Sequence, residues 1–325
     1  MAKIIGRREA VGVGLEAVRG TGVAATYLIP KTNYAFEDKA NKARSGEGFG
    51  HISGEGTQSI VASQFSEGSI DAEVGAKYFP VILSAVFGTI SSAAEGADYK
   101  HTVVLDNDNT HPTLSIHVDS DNGDLLYEFC MIDSFELSVE QDEIVKFNAG
   151  IKGKVSVGTV FDSTSLLAKD YKFVSRELEF KIAATTAGLA AATAICLKSL
   201  NITVNKNTDF DWCLGTLEPG DILNKQVTIQ GAIELNYDDR VWANYMLDGD
   251  YKAIGIKLTN NRETCDGAET PEFYLELPIC DLSEWEAPRT NDEIITQTIN
   301  FTALYDIANN RLISSCYVIN DIDSY

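Results

Sequence analysis

Long hydrophobic runs are missing from this chain of 325 residues. Its longest mostly apolar stretch, 78–87, falls far short of the roughly 20 residues a membrane-spanning helix needs. The opening Met-Ala-Lys-Ile-Ile-Gly-Arg-Arg lacks the apolar core and cleavage site of a secretory signal, so synthesis in a reducing cytoplasm is expected. The six cysteines contain no CxxC pair and no metal-ligand spacing, which favours buried free thiols over disulfides or zinc. Basic residues are scarce: 26 Lys and Arg stand against 48 Asp and Glu, a net charge of −22. This balance argues against specific nucleic-acid binding, which depends on Lys and Arg neutralising phosphates. The acidity is unevenly spread. Residues 1–50 hold eight Lys/Arg and five Asp/Glu, a net of +3, which leaves −25 for the rest. Beyond solubility, this points to a basic arm that docks on the acidic body of a neighbouring copy.

Catalytic and cofactor patterns are also absent. No P-loop occurs, and the glycines of 12–20 and 46–56 miss the dinucleotide spacing. Asp119, Asp121 and Asp124 surround Asn122-Gly123 in the manner of a calcium loop, but its twelfth position is Cys130, where a bidentate Glu belongs. His111 and His117 could share a strand face, with no Cys or carboxylate at metal spacing. No Ser or Cys stands in a nucleophile motif. No catalytic, cofactor or metal residue is therefore assigned.

What is present is alternation, and it occurs twice. Between 132 and 151, Phe135, Leu137, Val139, Val145, Phe147, Ala149 and Ile151 alternate with Glu136, Ser138, Lys146 and Asn148. Period two means strands with one buried and one wet face. Moving 150 residues along, Cys130 meets Cys280, Glu136 meets Glu286, and Asp142-Glu143-Ile144 meets Asp292-Glu293-Ile294. Phe135 falls on Trp285, Val145 on Ile295 and Ile151 on Phe301, so the facing is kept without a gap. The wet face is then Glu136, Ser138, Lys146, Asn148, Glu284, Glu286, Thr296, Thr298, Asn300 and Thr302. Carboxylate pairs such as Glu136 with Glu286 suit a glycosidase in residue type, but the repeat relates them and so suggests a symmetric structural role.

The element order repeats as well. The first half reads as a strand near 26–36, a Gly-rich loop 37–56, a hairpin of 58–64 and 68–74 turned at 66–68, and a helix 77–87 stopped by Gly88. Strands near 101–105, 113–118 and 125–132 follow, with Asn122-Gly123 as a tight turn whose two central residues take positive φ. A linker spans 153–169. The second half reads as strands 176–182 and 195–204, a long loop 205–223, a strand 226–235, a helix 239–247 capped by Asp238, and strands 253–258 and 273–277. The expected class is mainly β: an arm 1–25, then two tandem β-sandwich domains, 26–160 and 161–325, each with one short helix.

The opening Gly14-Leu-Glu-Ala-Val-Arg-Gly-Thr-Gly, then Tyr27-Leu-Ile-Pro-Lys31, resembles the start of the tail tube (major tail) proteins of long-tailed bacteriophages. The chain exceeds many single-domain tube proteins in length, which a duplication explains. The resemblance implies a structural, non-enzymatic virion protein that joins strands with its neighbours into an inner β-barrel. Such rings stack into the hollow tube through which DNA is delivered, with no membrane and no cofactor involved. It further implies a homo-oligomeric ring, three duplicated chains or alternatively six, and contacts with the tape measure, tail terminator and distal tail proteins. On that reading the wet face lines the lumen. The other readings weighed are a different β-rich virion or surface-assembly protein, and a β-sandwich carbohydrate-active enzyme or binding module.

Overall fold

The computed structural model describes residues 5–48, 50, 52, 56, 58–292 and 294–325. It is mainly β and antiparallel, and one sheet runs through both halves. Across its first half the order is Glu37–Arg44, Ser59–Glu73, Lys146–Gly153, Asp124–Glu140. The second half continues with Ser199–Asn205, Thr228–Asn236, Thr296–Ala303, Glu272–Glu286. The halves join where Asp124–Glu140 pairs with Ser199–Asn205, with Glu136 opposite Thr203 and Ser138 opposite Asn201.

The 150-residue spacing holds at the level of register. Asn148 pairs with Glu136 as Thr298 pairs with Glu286. Each hairpin skips one residue, Asp133 in the first and Ser283 in the second, so the bulge repeats too. Asp142 and Asp292 both turn with left-handed backbone, at φ 62° and 68°. Elsewhere the spacing changes because the loops differ in length. Gly68 opposite Ile151 matches Gly231 opposite Phe301, and a Cβ on Gly231 would lie 2.3 Å from the Phe301 ring. The 3-10 turns Gly6–Arg8 and Ser175–Glu177 lie 169 residues apart, each leading into an outer strand. Ala10–Leu15 then pairs with Leu114–Asp119, and Leu178–Ala183 with Lys252–Thr259.

The core lies on the apolar face. Phe135, Leu137, Phe147, Ile202, Ile233, Ile299 and Phe301 are all buried. Over them sits the helix Phe79–Phe87, every residue of it buried. A sequence apolar on all sides (Phe-Pro-Val-Ile-Leu-Ser-Ala-Val-Phe) suits only a sandwiched helix. Pro80 occupies its first turn, and Gly88, at φ 129°, ends it. The Phe79 ring touches those of Phe135 and Phe147 and meets Phe273 edge-on at 5.3 Å, so this helix binds the two halves together. Its counterpart, Val241–Asp248, buries Trp242 and Ala243 only and leaves Leu247 exposed.

Several local expectations are corrected. The hairpin expected at 66–68 is one continuous strand, Ser59–Glu73. Gly68 is there because the Ala35 carbonyl passes 2.0 Å from where a Cβ would stand. Part of the loop expected at 37–56 is the strand Glu37–Arg44, exposed along its whole length and so without apolar alternation to reveal it. At 122–123 only Gly123 takes positive φ. The second helix begins at Val241, with Arg240 rather than Asp238 at its N-cap and no side-chain cap; Asp239, just before it, accepts the Val241 N–H at 2.9 Å. A further helical turn, Thr186–Leu189, adds to the one helix expected per half. All six cysteines are free, but Cys196 and Cys213 are exposed rather than buried. Within 1–25, Ala10–Leu15 is a sheet strand. Residues 1–4 and Glu293 lie outside the described residues.

Candidate functional site

The ten wet-face residues named from sequence fall on one face of the spine. Directly opposed residues share a face, and the registers link Lys146, Ser138, Asn201, Ala232, Asn300 and Glu284 in one row. A second row runs Asp71, Asn148, Glu136, Thr203, Gln230, Thr302, Asp281. A third runs Glu140, Ser199, Glu234, Thr298, Glu286. Thr296 lies beside Asn236 in the same strand pair as Thr298. Asp71, Asn201, Thr203, Gln230 and Glu234 were missed from sequence, although Ser-Leu-Asn-Ile-Thr-Val-Asn at 199–205 carries the same alternation.

Side chains on this face hold one another. Asn201 donates to Glu136 at 2.5 Å, Asn300 to Glu284 at 2.8 Å, and Asn148 to Asp71. Lys146, the cation among the ten, lies 2.5 Å from Glu143, which raises its ammonium pKa. The face is therefore acidic, with Asp71, Glu136, Glu140, Glu234, Asp281, Glu284 and Glu286 on it. No glycosidase geometry results from Glu136 and Glu286. Four strand spacings separate them, about 19 Å at about 4.8 Å each, against the roughly 5–9.5 Å that paired carboxylates need.

The two ends of the spine are open in a matched way. Among the described residues, Leu282–Glu286 pairs only with Thr296–Ala303 on this stretch. At the opposite end, again among the described residues, Lys31–Tyr34 and Glu37–Arg44 pair only with Ser59–Glu73. These last two strands stand beside Ser59–Glu73 as Ser199–Asn205 stands beside Thr228–Asn236. So the open edges are the same two edges that meet inside the chain at 134–140 and 199–205.

The N-terminal motif acts as an internal latch. The buried Glu16 carboxylate accepts from the N–H groups of Gly20 (2.7 Å) and Phe129 (2.8 Å) and from the hydroxyls of Thr113 (2.6 Å) and Ser115 (3.0 Å). Arg19 donates to Asp221 at 2.6 Å and to the Ile222 carbonyl at 2.8 Å, and its guanidinium stands 5.1 Å above the Phe129 ring. Arg8 pairs with Asp121 at 2.9 Å. Arg8 and Arg19 thus each pair with an aspartate of their own chain.

The remaining polar candidates separate. The His111 and His117 rings bond to the Asp106 and Val23 carbonyls respectively. Asp119 accepts from Ser163, Asp121 from Arg8, and Asp124 from Ser120 and Phe161.

An acidic, polar sheet face with complementary open edges is what a protein built to continue its sheet into copies of itself would carry. The model of the Phage tail tube protein family matches residues 6–303, and the chain belongs to that family. A search of curated proteins finds no match. Membership makes this a structural component of the virion tail. Among the described residues no helix is long and apolar enough to cross a membrane.

Proposed function

We propose that three copies close into a ring of pseudo-sixfold geometry, and that such rings stack into the tube through which DNA passes. The observation that carries this reading is the join between halves. Asp124–Glu140 against Ser199–Asn205 is a working example of the contact that the open edges would make between copies. Carrying its register over lays 284–290 of one copy beside 33–39 of the next, with Lys39 opposite Glu284. Closure removes both exposed edges. It also covers the half-exposed helix Val241–Asp248, as Phe79–Phe87 is covered within the chain.

Each chain then holds two equivalent units that divide near residue 170, where the turn Ser175–Glu177 repeats Gly6–Arg8, rather than at 160. The acidic face lines the lumen and repels the DNA backbone, so that DNA slides without being held. The projecting strand pair Glu37–Arg44 and Ser59–Glu73 lies beside 206–225, where the expected loop carries a small antiparallel pair, Asp209–Asp211 with Asp221–Leu223. The projecting pair and 206–225 are tied by Gln64 N–H to the Leu217 carbonyl and by the Phe65, Phe210 and Trp212 rings. Exposed Ile60 and Leu214 at this end suit contact with the next ring. Synthesis in the host cytoplasm and contacts with tape measure, terminator and distal tail proteins complete the reading. Electron microscopy of the concentrated purified protein tests it: hollow tubes are expected, and a chain that stays monomeric at all concentrations refutes self-assembly.

A further inference from the structure

We infer that the N-terminal segment of each copy completes the second half of its neighbour, a contact that rests on the ring assembly above. Inside the chain, residues 171–174, which open the second half, are laid across the first. Ala76 N–H donates to the Tyr171 carbonyl at 2.9 Å and Val145 N–H to that of Phe173 at 3.0 Å, while Ile144 and Val174 form an antiparallel bridge. Phe173 is fully buried by this docking, and the turn Ser175–Glu177 follows directly.

The start of the chain repeats that pattern 169 residues earlier. Lys-Ile-Ile-Gly-Arg at 3–7 matches Lys-Phe-Val-Ser-Arg at 172–176, and the turn Gly6–Arg8 matches Ser175–Glu177. Ile5 therefore stands where Val174 stands, and Ile4, in sequence, where Phe173 does. The receiving backbone is also duplicated, since Tyr237 N–H donates to the Ile295 carbonyl as Val74 N–H donates to that of Val145. Yet Ile294, the counterpart of Ile144, is 78% exposed, and Ile5 is 65% exposed. Two apolar residues whose internal counterparts bridge each other are both left in water in the single chain.

The occupant of the Ile294 site is the segment 2–5 of a second copy. Its own copy's segment departs from the first half, where Lys31 holds the Gly6 carbonyl at 3.0 Å and Arg8 holds Asp121. The Lys172–Glu73 ion pair of the internal contact is not repeated, because Asn236 stands in the place of Glu73. The contact between copies is therefore apolar and backbone-paired, and weakly sensitive to salt.

Cross-linking tests this. An antiparallel bridge sets Cα atoms about 4.5–5.5 Å apart, inside the range of about 4.4–6.8 Å that a disulfide spans. The variant Ile5→Cys with Ile294→Cys, in a background with Cys196→Ser and Cys213→Ser, is assembled and mildly oxidised. Covalent dimers and trimers are expected on a non-reducing gel, and neither single-cysteine variant should give them. In the unaltered chain, amide exchange at 294–296 should slow by about tenfold or more on assembly. Tubes that give no cross-link, or a disulfide closed within one monomer, overturn the donated segment and leave the tube reading standing. Should the cysteine variant not assemble, unchanged exchange at 294–296 in tubes of the unaltered chain overturns it equally. Failure of the unaltered chain to assemble removes both.

Discussion

Trp285 donates its indole N–H to the side-chain oxygen of Gln297 at 2.9 Å, at the place where the first half stacks Phe135 on Phe147. Gln297 is 1% exposed, and its amide also donates to the Asn236 carbonyl at 3.1 Å. A stacked aromatic pair has been exchanged for an amide that accepts one hydrogen bond and donates another. Gln297→Leu strands both partners and should cost about 2–3 kcal/mol, read as a lower urea midpoint with unchanged slope. A loss below a few tenths of a kcal/mol would show that the amide is not needed.

Glu16 explains the Gly-Leu-Glu-Ala-Val-Arg-Gly-Thr-Gly motif. Its carboxylate holds the Phe129 N–H, and Phe129 has left-handed backbone at φ 57°, a conformation that costs a bulky residue roughly 1–3 kcal/mol. Glu16→Ala should destabilise by about 3 kcal/mol or more, since four donors are left without their partner. Thr113→Ala, which removes one of them, should cost about 1 kcal/mol. Equal effects in chemical denaturation would refute the latch.

Lys206 is fully buried, and its ammonium donates to the Ala85 carbonyl at 2.7 Å, near the end of the helix Phe79–Phe87. Burial, and then the Arg19 charge, push its pKa down from 10.5 to about 7. The folded state thus binds the proton less well than the unfolded one. Stability should rise with pH from about 7 toward the ordinary lysine range, and the penalty of charging should be fully present below about 7. Lys206→Met, of similar length, should flatten that slope and gain most at low pH. Parallel pH profiles of the two proteins would contradict the assignment.

The lumen reading is tested away from the open edges. Glu284 and Glu286 sit on the strand that would close the ring, so charge reversal there mixes assembly with passage. Glu234 and Thr298 oppose each other in mid-sheet. Both sites are half-buried, so Glu234→Lys is made alone, which avoids two like charges face to face. It should lower tube yield only modestly and should slow DNA release from assembled particles. Normal release from tubes of normal yield would place this face away from DNA.

Much of the spine was legible because burial on one side enforces strict alternation. Phe135 to Val139, Val145 to Ile151 and their counterparts could be read directly, and the register matches through the bulges at Asp133 and Ser283. Glu37–Arg44 was hidden because it projects beyond the core with both faces wet. Gly68 looked like a turn because a close backbone approach and a turn demand the same residue. The Glu16 latch was visible as a motif but not as chemistry, since its donors lie near residues 20, 113, 115 and 129. The meeting of 134–140 with 199–205 could not be read at all. Pairing between distant strands is a property of register and shape, not of local pattern.

The central claim is that one chain supplies two sixths of a ring. Cryo-electron microscopy of assembled tubes, with the number of chains per ring counted from the reconstruction, tests it most directly. Three chains per ring are predicted, with an unbroken inner sheet in which 284–290 of each copy runs beside 33–39 of the next. Six chains per ring, or a ring closed through other edges, would contradict it.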